Sequence, residues 1–507
     1  MKKYYKSSLW FNTIIFCSGA IATFSIPPFS IFLLVFTLGF GIYLTTLSPS
    51  LKKTFISGWF LGFGWFSFGL YWIGSAFTVA DTYHKMLMPI AVIILPSILA
   101  IFWGLACFIS KLLTKKHHSS IFLTIIFLSL FEYLRAKLFT GFPWLMPSIV
   151  LSPNDFLIQI FSFIGSFTAN LFVFSLSVLP FIFIFNSRSK YIIFNTLFIP
   201  ITILILLSFF RFYNKDTQNI DNQLITLVQP NIEQKDKWRP ETRNSNLKKL
   251  MQLSHQNASQ FKGIKRIIIW PETSFEGSIP NEKKFLSNIS KEILTDSKVI
   301  LVIGLLRVEV NKLFNSLVFL NSEGKIINQY DKIHLVPFGE YIPFRDNFGT
   351  IANFLSTQDF SKGNIKQNFN LKGFGEILTL ICYEILFTDE VVARLSKNTN
   401  LLINITNDAW FGKTVGPYQH LALAKIKAVE LGIPLARVAN TGISTLISPY
   451  GKEIISIPLY ESGVKTVPLV APLENTTYRK YGEIVFLVSI LSLLMINKLS
   501  TVKIVRE

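Results

Sequence analysis

The chain has 507 residues, half of them hydrophobic and only 16% charged, against roughly 25% charged in soluble globular proteins. With a mean hydropathy of +0.44, much of it belongs in lipid, which excludes a wholly soluble protein. The net charge of +19 comes with no basic helix and no aromatic RNA-binding motif, so nucleic acid is not the expected partner.

Taken in order, the chain opens with MKKYYK and an apolar run from Leu9 to Phe24. SIPPFS follows in place of a small-residue cleavage site and leads straight into a second run, so the first run reads as a retained span and not a signal peptide. Further spans are expected at Ser30–Leu47, Phe55–Ala76, Met88–Ile109, Ile121–Leu134, Phe163–Phe185, Tyr191–Phe210 and Ile484–Ile496, about eight in all. The runs near 121 and 484 are short against the roughly 20 residues a span needs and must borrow flanking residues. Lys2, Lys3, Lys6, Lys52, Lys53, Lys111, Lys115, Lys116, Arg188, Lys190, Lys498, Lys503 and Arg506 then fall on one side. Only Lys85, Arg135 and Lys137 occupy the opposite short loops, which places the N-terminus in the cytoplasm. The expected division is a membrane domain of seven helices over 1–210, an extracytoplasmic domain over 211–483, and a last helix with a cytoplasmic tail over 484–507.

Two features of the membrane half carry alternatives. Gly58, Gly62, Gly69 and Gly74 lie among Trp59, Trp65 and Trp72; small residues at this spacing read as close helix packing before they read as a ligand site. The loop RAKLFTGFPWLM, Arg135–Met146, puts two cations on the outer face. It is either a local exception to the charge rule or an outer-leaflet headgroup contact with Trp144 at the interface.

The polar region alternates the two kinds of element. Strands are expected at Leu224–Val228, Arg266–Trp270, Val299–Gly304, Leu317–Asn321, Ile377–Ile381 and Leu401–Ile405, helices at Lys283–Leu294 and His420–Leu431, and a hairpin-rich tail over Ser444–Val470. This is the pattern of a single α/β domain of about 250 residues. Cys17 and Cys107 fall in apolar segments, which leaves Cys382 without a disulfide partner in this domain.

Three stretches put ionisable groups directly after strands, where α/β folds present reactive side chains. IIIWPETSFEG carries Glu272, YDKIHLVPFGEYIP carries Lys332, His334 and Glu340, and ILTLICYEIL carries Cys382 with Tyr383 and Glu384. A thiol at that position is a nucleophile or a small core residue. Apolar neighbours should bury the charges, and buried charges persist only when paired. Glu, Lys and Cys converging in one pocket would supply base, cation and nucleophile.

On these motifs the sequence resembles the bacterial apolipoprotein N-acyltransferases, a membrane-embedded branch of the nitrilase superfamily. WPE, DKxHLVPFGEYxP and ICYE match that family's motifs, as do QPNI near Gln229 with Trp238 downstream, NDAWFG at Asn407–Gly412, GPYQH at Gly416–His420 and ARVANTGIS at Ala436–Ser444. The resemblance implies an αββα catalytic domain facing the periplasm from the inner membrane. It implies Glu272 as general base, Lys332 as oxyanion stabiliser and Cys382 as acyl-carrying nucleophile, with Glu340, Tyr383 and Glu384 in support. Trp144, Trp238 and Trp410 are candidate substrate contacts. Phe338, Tyr341, Phe344, Phe348, Phe354, Trp410 and Phe411 either line an acyl channel or belong to ordinary core.

The implied reaction moves an acyl chain from the sn-1 ester of a phospholipid to Cys382, and then to the α-amino group of an N-terminal diacylglyceryl-cysteine on an apolipoprotein. Neither a metal nor another cofactor is implied. The six histidines show no ligand spacing beyond His117 and His118, and no phosphate-binding glycine motif is present. Two other readings stand beside it: a membrane-tethered amidohydrolase or thioesterase with water as acceptor, and a transporter or scaffold that only binds lipoproteins. The scarcity of charges within the spans weighs against the last.

Overall fold

The computed structural model describes residues 8–79, 82–114, 120–184, 190–215, 217–256, 258–279, 283–294, 296–343, 345, 359–364 and 369–506. Lys2, Lys3, Lys6, Lys115, Lys116 and Arg188 of the orientation argument lie outside the described residues, as do His117, His118, Phe344, Phe348 and Phe354. The chain divides into two compact units, Met1–Lys215 with Asn475–Glu507, and Asp216–Glu474.

In the first unit every expected span is helical: Ser8–Ala22, Val35–Thr46, Leu51–Gly69 with Ile73–Val79, Met88–Leu113, Ser120–Lys137, Ile160–Ile182, Lys190–Tyr213 and Ile484–Arg506. The third is broken where the sequence reading ran it straight through, with a 42° bend between Gly69 and Ile73. At the break, a Cβ on Gly69 would fall 2.2 Å from the Leu145 side chain. Among the described residues three helices are long and apolar enough to cross a membrane alone, and the bent pair makes a fourth. Leu9–Ser25, Phe32–Thr46 and Ile484–Lys498 are shorter apolar helices. Ser120–Lys137 carries Glu132, Arg135 and Lys137. By this measure the count is below the eight expected.

Packing in this unit follows the small residues. A Cβ on Gly58 would meet Cys107 Sγ at 2.6 Å, and one on Gly62 would meet Trp103 Cβ at 3.1 Å, so the helix Leu51–Gly69 lies close along Met88–Leu113. The loop after Lys137 corrects the headgroup expectation. Arg135 is 1% exposed, and its Nη2 sits 2.6 Å from Glu132 Oε2. Its Nη1 donates to the carbonyls of Phe142 and, at 3.0 Å, of Trp144. Trp103 Nε1 donates to the same Glu132 at 2.7 Å. A buried guanidinium must be paired to persist, and here its donors are spent inside the protein, so none is offered to a lipid phosphate. Trp144 is likewise buried, 4.8 Å from the ring of Trp72, and not at a surface.

The second unit is built on two sheets. The first holds β1 (Asn219–Gln229), β2 (Lys265–Ile269), β3 (Phe275–Ile279), β4 (Val299–Glu309), β5 (Lys312–Leu320) and β6 (Ile326–Asp331). The second holds β7 (Phe369–Leu371), β8 (Gly375–Ile381), β9 (Thr399–Thr406), β10 (Leu435–Ala439), β11 (Ser444–Ile447) and β12 (Glu453–Ile457). β13 (Gly463–Val470) returns from the second sheet to pair antiparallel with β1. The orders are β13-β1-β2-β4-β5-β6, with β3 beside β4, and β12-β11-β10-β9-β8-β7.

Alternation along the strands makes the core. Ile267 and Ile269 of β2 join Ile377, Ile381, Ile403 and Val438 of the other sheet in one apolar cluster. Ile268 and Trp270 face the opposite way, against Leu250, Leu286 and Ile289 from the helices Pro240–His255 and Lys283–Ile293. A strand buried on both faces reads as a continuous apolar run, hence IIIW. β1, β2 and β4 run parallel, as do β8, β9 and β10. β6 shares the direction of β4, because β5 lies antiparallel to both. The segments carrying Glu272, Lys332 and Cys382 therefore all leave C-terminal strand ends.

Candidate active site

Each candidate side chain is delivered by a sharp departure from a strand. After β2 the chain turns at Glu272 and Thr273, the latter with φ +45°. The turn lies directly on β4, where a Cβ on Gly304 would fall 2.5 Å from the Pro271 carbonyl oxygen; only glycine permits that approach. After β8, Cys382 takes φ +53° and opens the short turn Cys382–Leu386. A non-glycine residue in the left-handed region is uncommon. Here neighbours hold it, for Asn404 Nδ2 donates to the Cys382 carbonyl at 3.3 Å. Cys382 remains partly accessible.

Lys332, 1% exposed, is the hub. Its Nζ is 2.9 Å from Glu340 and 3.8 Å from Glu272 Oε1. Asn315 of β5 bridges the two carboxylates, its Nδ2 donating to Glu272 Oε1 at 2.7 Å and Glu340 Oε1 at 3.0 Å. Glu340 Oε2 also accepts from the Val336 amide at 2.8 Å. Glu384 ties this segment to the cysteine turn: it accepts from the Ile381 and Ile333 amides and the Tyr330 hydroxyl, each at 2.7 Å, and from the His334 amide at 3.1 Å. Arg394 supports Tyr330 with a donation at 2.9 Å. Tyr383 packs edge-on against Phe387, ring centroids 5.0 Å apart.

The electrostatics follow from burial and spacing. Burial drives the Glu272 carboxyl up; Lys332 pulls it back and Glu340 pushes it up again, leaving it above the usual carboxylate range. Burial opposes the Lys332 ammonium, but Glu340 and Glu272 together outweigh it and hold the charge firmly on. The Cys382 thiol is raised by burial and by Glu272, with Lys332 countering, so Glu272 and Lys332 both act on the sulfur. The group is a thiol with a carboxyl and a fixed cation acting on it. Such an arrangement can move one proton from sulfur to carboxylate and receive an acyl group on the sulfur.

A second buried cluster stands behind the cysteine turn. Asp408 Oδ1 lies 2.9 Å from His420 Nδ1, and Asp408 Oδ2 accepts from Arg437 Nη2 at 2.7 Å. Arg437 Nη1 donates to Asn404 at 2.8 Å, and Thr406 donates to Asp408 at 3.0 Å. Burial opposes the Asp408 charge, but Arg437 and His420 overcome it and hold the carboxyl at about 2. Burial and Arg437 keep His420 below its usual value.

The structure thus brings Glu272, Lys332, Glu340, Cys382, Tyr383 and Glu384 to one end of the α/β unit. Trp238, in the loop after β1, and Trp410, in the loop after β9, are 46% and 41% exposed. Their loops are joined by Asn407 Nδ2 donating to Gln234 Oε1 at 2.8 Å. Phe338 is exposed with φ +63°, and Tyr341 and Phe411 are half-buried. Trp144 belongs to the helical unit. Sequence reasoning missed Asn315, Arg394 and Lys237. It passed over Tyr330, Asp408, His420 and Arg437 inside motifs it had marked. Among the described residues no cluster of His, Cys, Asp and Glu suits a metal ion.

Comparison with known proteins covers both units. Residues 224–475 match the carbon-nitrogen hydrolase family, and residues 18–179 match the apolipoprotein N-acyltransferase N-terminal domain. The apolipoprotein N-acyltransferase of Rhodopseudomonas palustris is 31% identical, with 92% of this chain and 91% of that one covered. The protein of the same name from Brucella melitensis is 32% identical, with 94% and 93% covered. A solved mutant amidase of the nitrilase superfamily from Nesterenkonia AN1 is 19% identical, with 52% of this chain and 96% of that one covered and a TM-score of 0.38.

Proposed function

The chain belongs to the apolipoprotein N-acyltransferase family, membrane acyltransferases that act on lipoproteins, and from that membership we propose a two-stage transfer through an acyl-enzyme on Cys382. Glu272 takes the thiol proton as the sulfur attacks the sn-1 ester carbonyl of a phospholipid. Lys332 stabilises the tetrahedral oxyanion, a contribution of about 3–4 kcal/mol for one well-placed donor. The intermediate collapses to a thioester, and the lysophospholipid alkoxide leaves with the proton from Glu272. In the second stage the α-amine of a diacylglyceryl-cysteine attacks the thioester. Glu272 accepts its proton, an amide forms, and the Cys382 thiolate is released and reprotonated. The steps draw on no cofactor.

The observation that carries this reading is the Lys332 ammonium held between Glu340 and Glu272, with both Lys332 and Glu272 acting on the thiol of a cysteine in a left-handed turn. Glu340 holds Lys332, and Glu384 with Tyr383 shapes the cysteine turn. Trp238 and Trp410 remain candidate substrate contacts. An αββα domain over 211–483 facing the periplasm, anchored by seven helices before it and one after in the inner membrane, places the site where both lipid-anchored substrates reach it. The decisive experiment incubates the full-length protein with phospholipid alone, followed by intact mass and peptide mapping. An acyl adduct on Cys382 is expected; unmodified protein under conditions that support turnover overturns the mechanism. The match of residues 224–475 to carbon-nitrogen hydrolases favours a second reading, hydrolysis by water. Labelled acyl chains distinguish them by ending on a peptide amine or as free fatty acid.

A further inference from the structure

One buried cation takes no part in the steps above. Lys237 lies in the loop after β1, 3% exposed, and its Nζ donates to the main-chain carbonyl of Glu272 at 3.1 Å. Lysine is among the residue types least often buried, and taking an ammonium out of water costs several kcal/mol unless the surroundings compensate. The loop is held so that this happens. Asn246 and Thr242 both donate to the Asp236 carbonyl, and Asp236 pairs with Arg239 at 3.4 Å on the outer side.

We propose that Lys237 is a positioning residue of the acyl-transfer site: it pins the Glu272 turn through its carbonyl and adds a second positive charge beside the Glu272 carboxylate. The inference rests on Glu272 being the base. Among the described residues, charged side chains reach Glu272 from two elements, Lys332 and Glu340 after β6 and Lys237 after β1, and Cys382 couples to it from the turn after β8. Asp408 acts on the thiol from behind, with Arg437 as its own partner.

The proton that leaves Sγ passes to Glu272, and a positive charge held at the Glu272 turn favours the ionised carboxyl, the more so because a buried interaction is little screened. Glu272 and Cys382 share that proton, so the acid limb of the pH profile belongs to the pair. Removing a nearby positive charge must raise it.

The test uses the full-length protein in detergent micelles with labelled phospholipid and a synthetic diacylglyceryl-cysteine peptide. Lys237→Gln keeps a donor for the carbonyl and removes the charge. Its acid limb in kcat/KM is expected to move up by about one unit, which lowers the rate about tenfold on the acidic side. Lys237→Arg should keep the wild-type limb. Alkylation of Cys382 by iodoacetamide, mapped by mass, should shift in parallel; Lys237→Met replaces Lys237→Gln should the latter not fold. A folded Lys237→Gln protein with an unmoved limb, or a Lys237→Arg limb displaced as far as that of Lys237→Gln, overturns the proposal. Full activity in Glu272→Gln would instead overturn the base assignment on which it rests.

Discussion

The α/β unit holds two buried charge clusters near the same strand ends, and they are built to opposite purposes. Around Asp408, burial is overcome: Arg437 and His420 hold the carboxyl at about 2, and His420 is kept below its usual value. Every proton there has one fixed address. Around Glu272, burial prevails: the carboxyl and the Cys382 thiol are both driven up toward their protonated forms, while Lys332 is held charged. The difference lies in distances. Asp408 has Arg437 at 2.7 Å, whereas Glu272 has Lys332 only at 3.8 Å, because Glu340 takes that ammonium at 2.9 Å. A closely paired charge is scaffolding; a loosely paired one beside a thiol is a proton acceptor.

The largest expected effect breaks the reactive cluster and spares the rigid one. Cys382→Ala should abolish acyl transfer, a loss on the order of a millionfold for deletion of a nucleophile. Thermal unfolding should shift by less than about 1 kcal/mol, since the thiol is partly accessible and its turn is held through its carbonyl. Retained transfer would show that the sulfur carries nothing. Asp408→Asn should do the reverse. It leaves Arg437 buried without its carboxylate partner, which costs about 3–5 kcal/mol of unfolding free energy, while the folded fraction keeps activity within about tenfold of wild type. The pH sign is set by the depressed Asp408 value: its contribution is complete above the ordinary 3.8 and is lost as pH falls through about 2. Acid unfolding followed by tryptophan fluorescence reads this; an unchanged acid transition in Asp408→Asn counts against a scaffolding role.

The reactive cluster was more legible in sequence than the rigid one, for a physical reason. Glu272 and Cys382 each stand where a long apolar run stops at a strand end, and that contrast marks them, whereas Lys332 follows the polar β6 and is marked by the apolar and aromatic residues after it in KIHLVPFGEY. Asn315 is neutral and mid-strand in LFNSLVFL and offers no such contrast. Lys237 looked like any solvated lysine, since nothing local in DKWRP shows that the loop folds its ammonium under the Glu272 turn. β6 and β10 were missed, the first because INQYD alternates poorly, the second because LARVA hides a buried arginine in a strand. Strand ends drifted because burial, not composition, fixes them: β4 runs on to Glu309 as one arm of a hairpin with β5. The headgroup reading of Arg135 failed on a partner one turn away. Glu132 and Arg135 sit three residues apart on one helix face, a spacing at which opposite charges meet.

The smallest effect is also the sharpest test of the contrast. Glu340 raises Glu272 by like-charge repulsion and takes the greater share of Lys332. Glu340→Gln should let the ammonium act on Glu272 alone, so the acid limb moves down in pH, opposite to the upward move of Lys237→Gln. A weaker base lowers the plateau rate, by about tenfold if the carboxyl falls well below working pH. Both substitutions act on one shared proton through opposite charges, so combining them should return the limb close to that of wild type. Double-mutant analysis separates this from two independent injuries, which would multiply the rate losses without restoring the limb. Limbs that move the same way in both single variants would mean that the titrating pair is not Glu272 and Cys382.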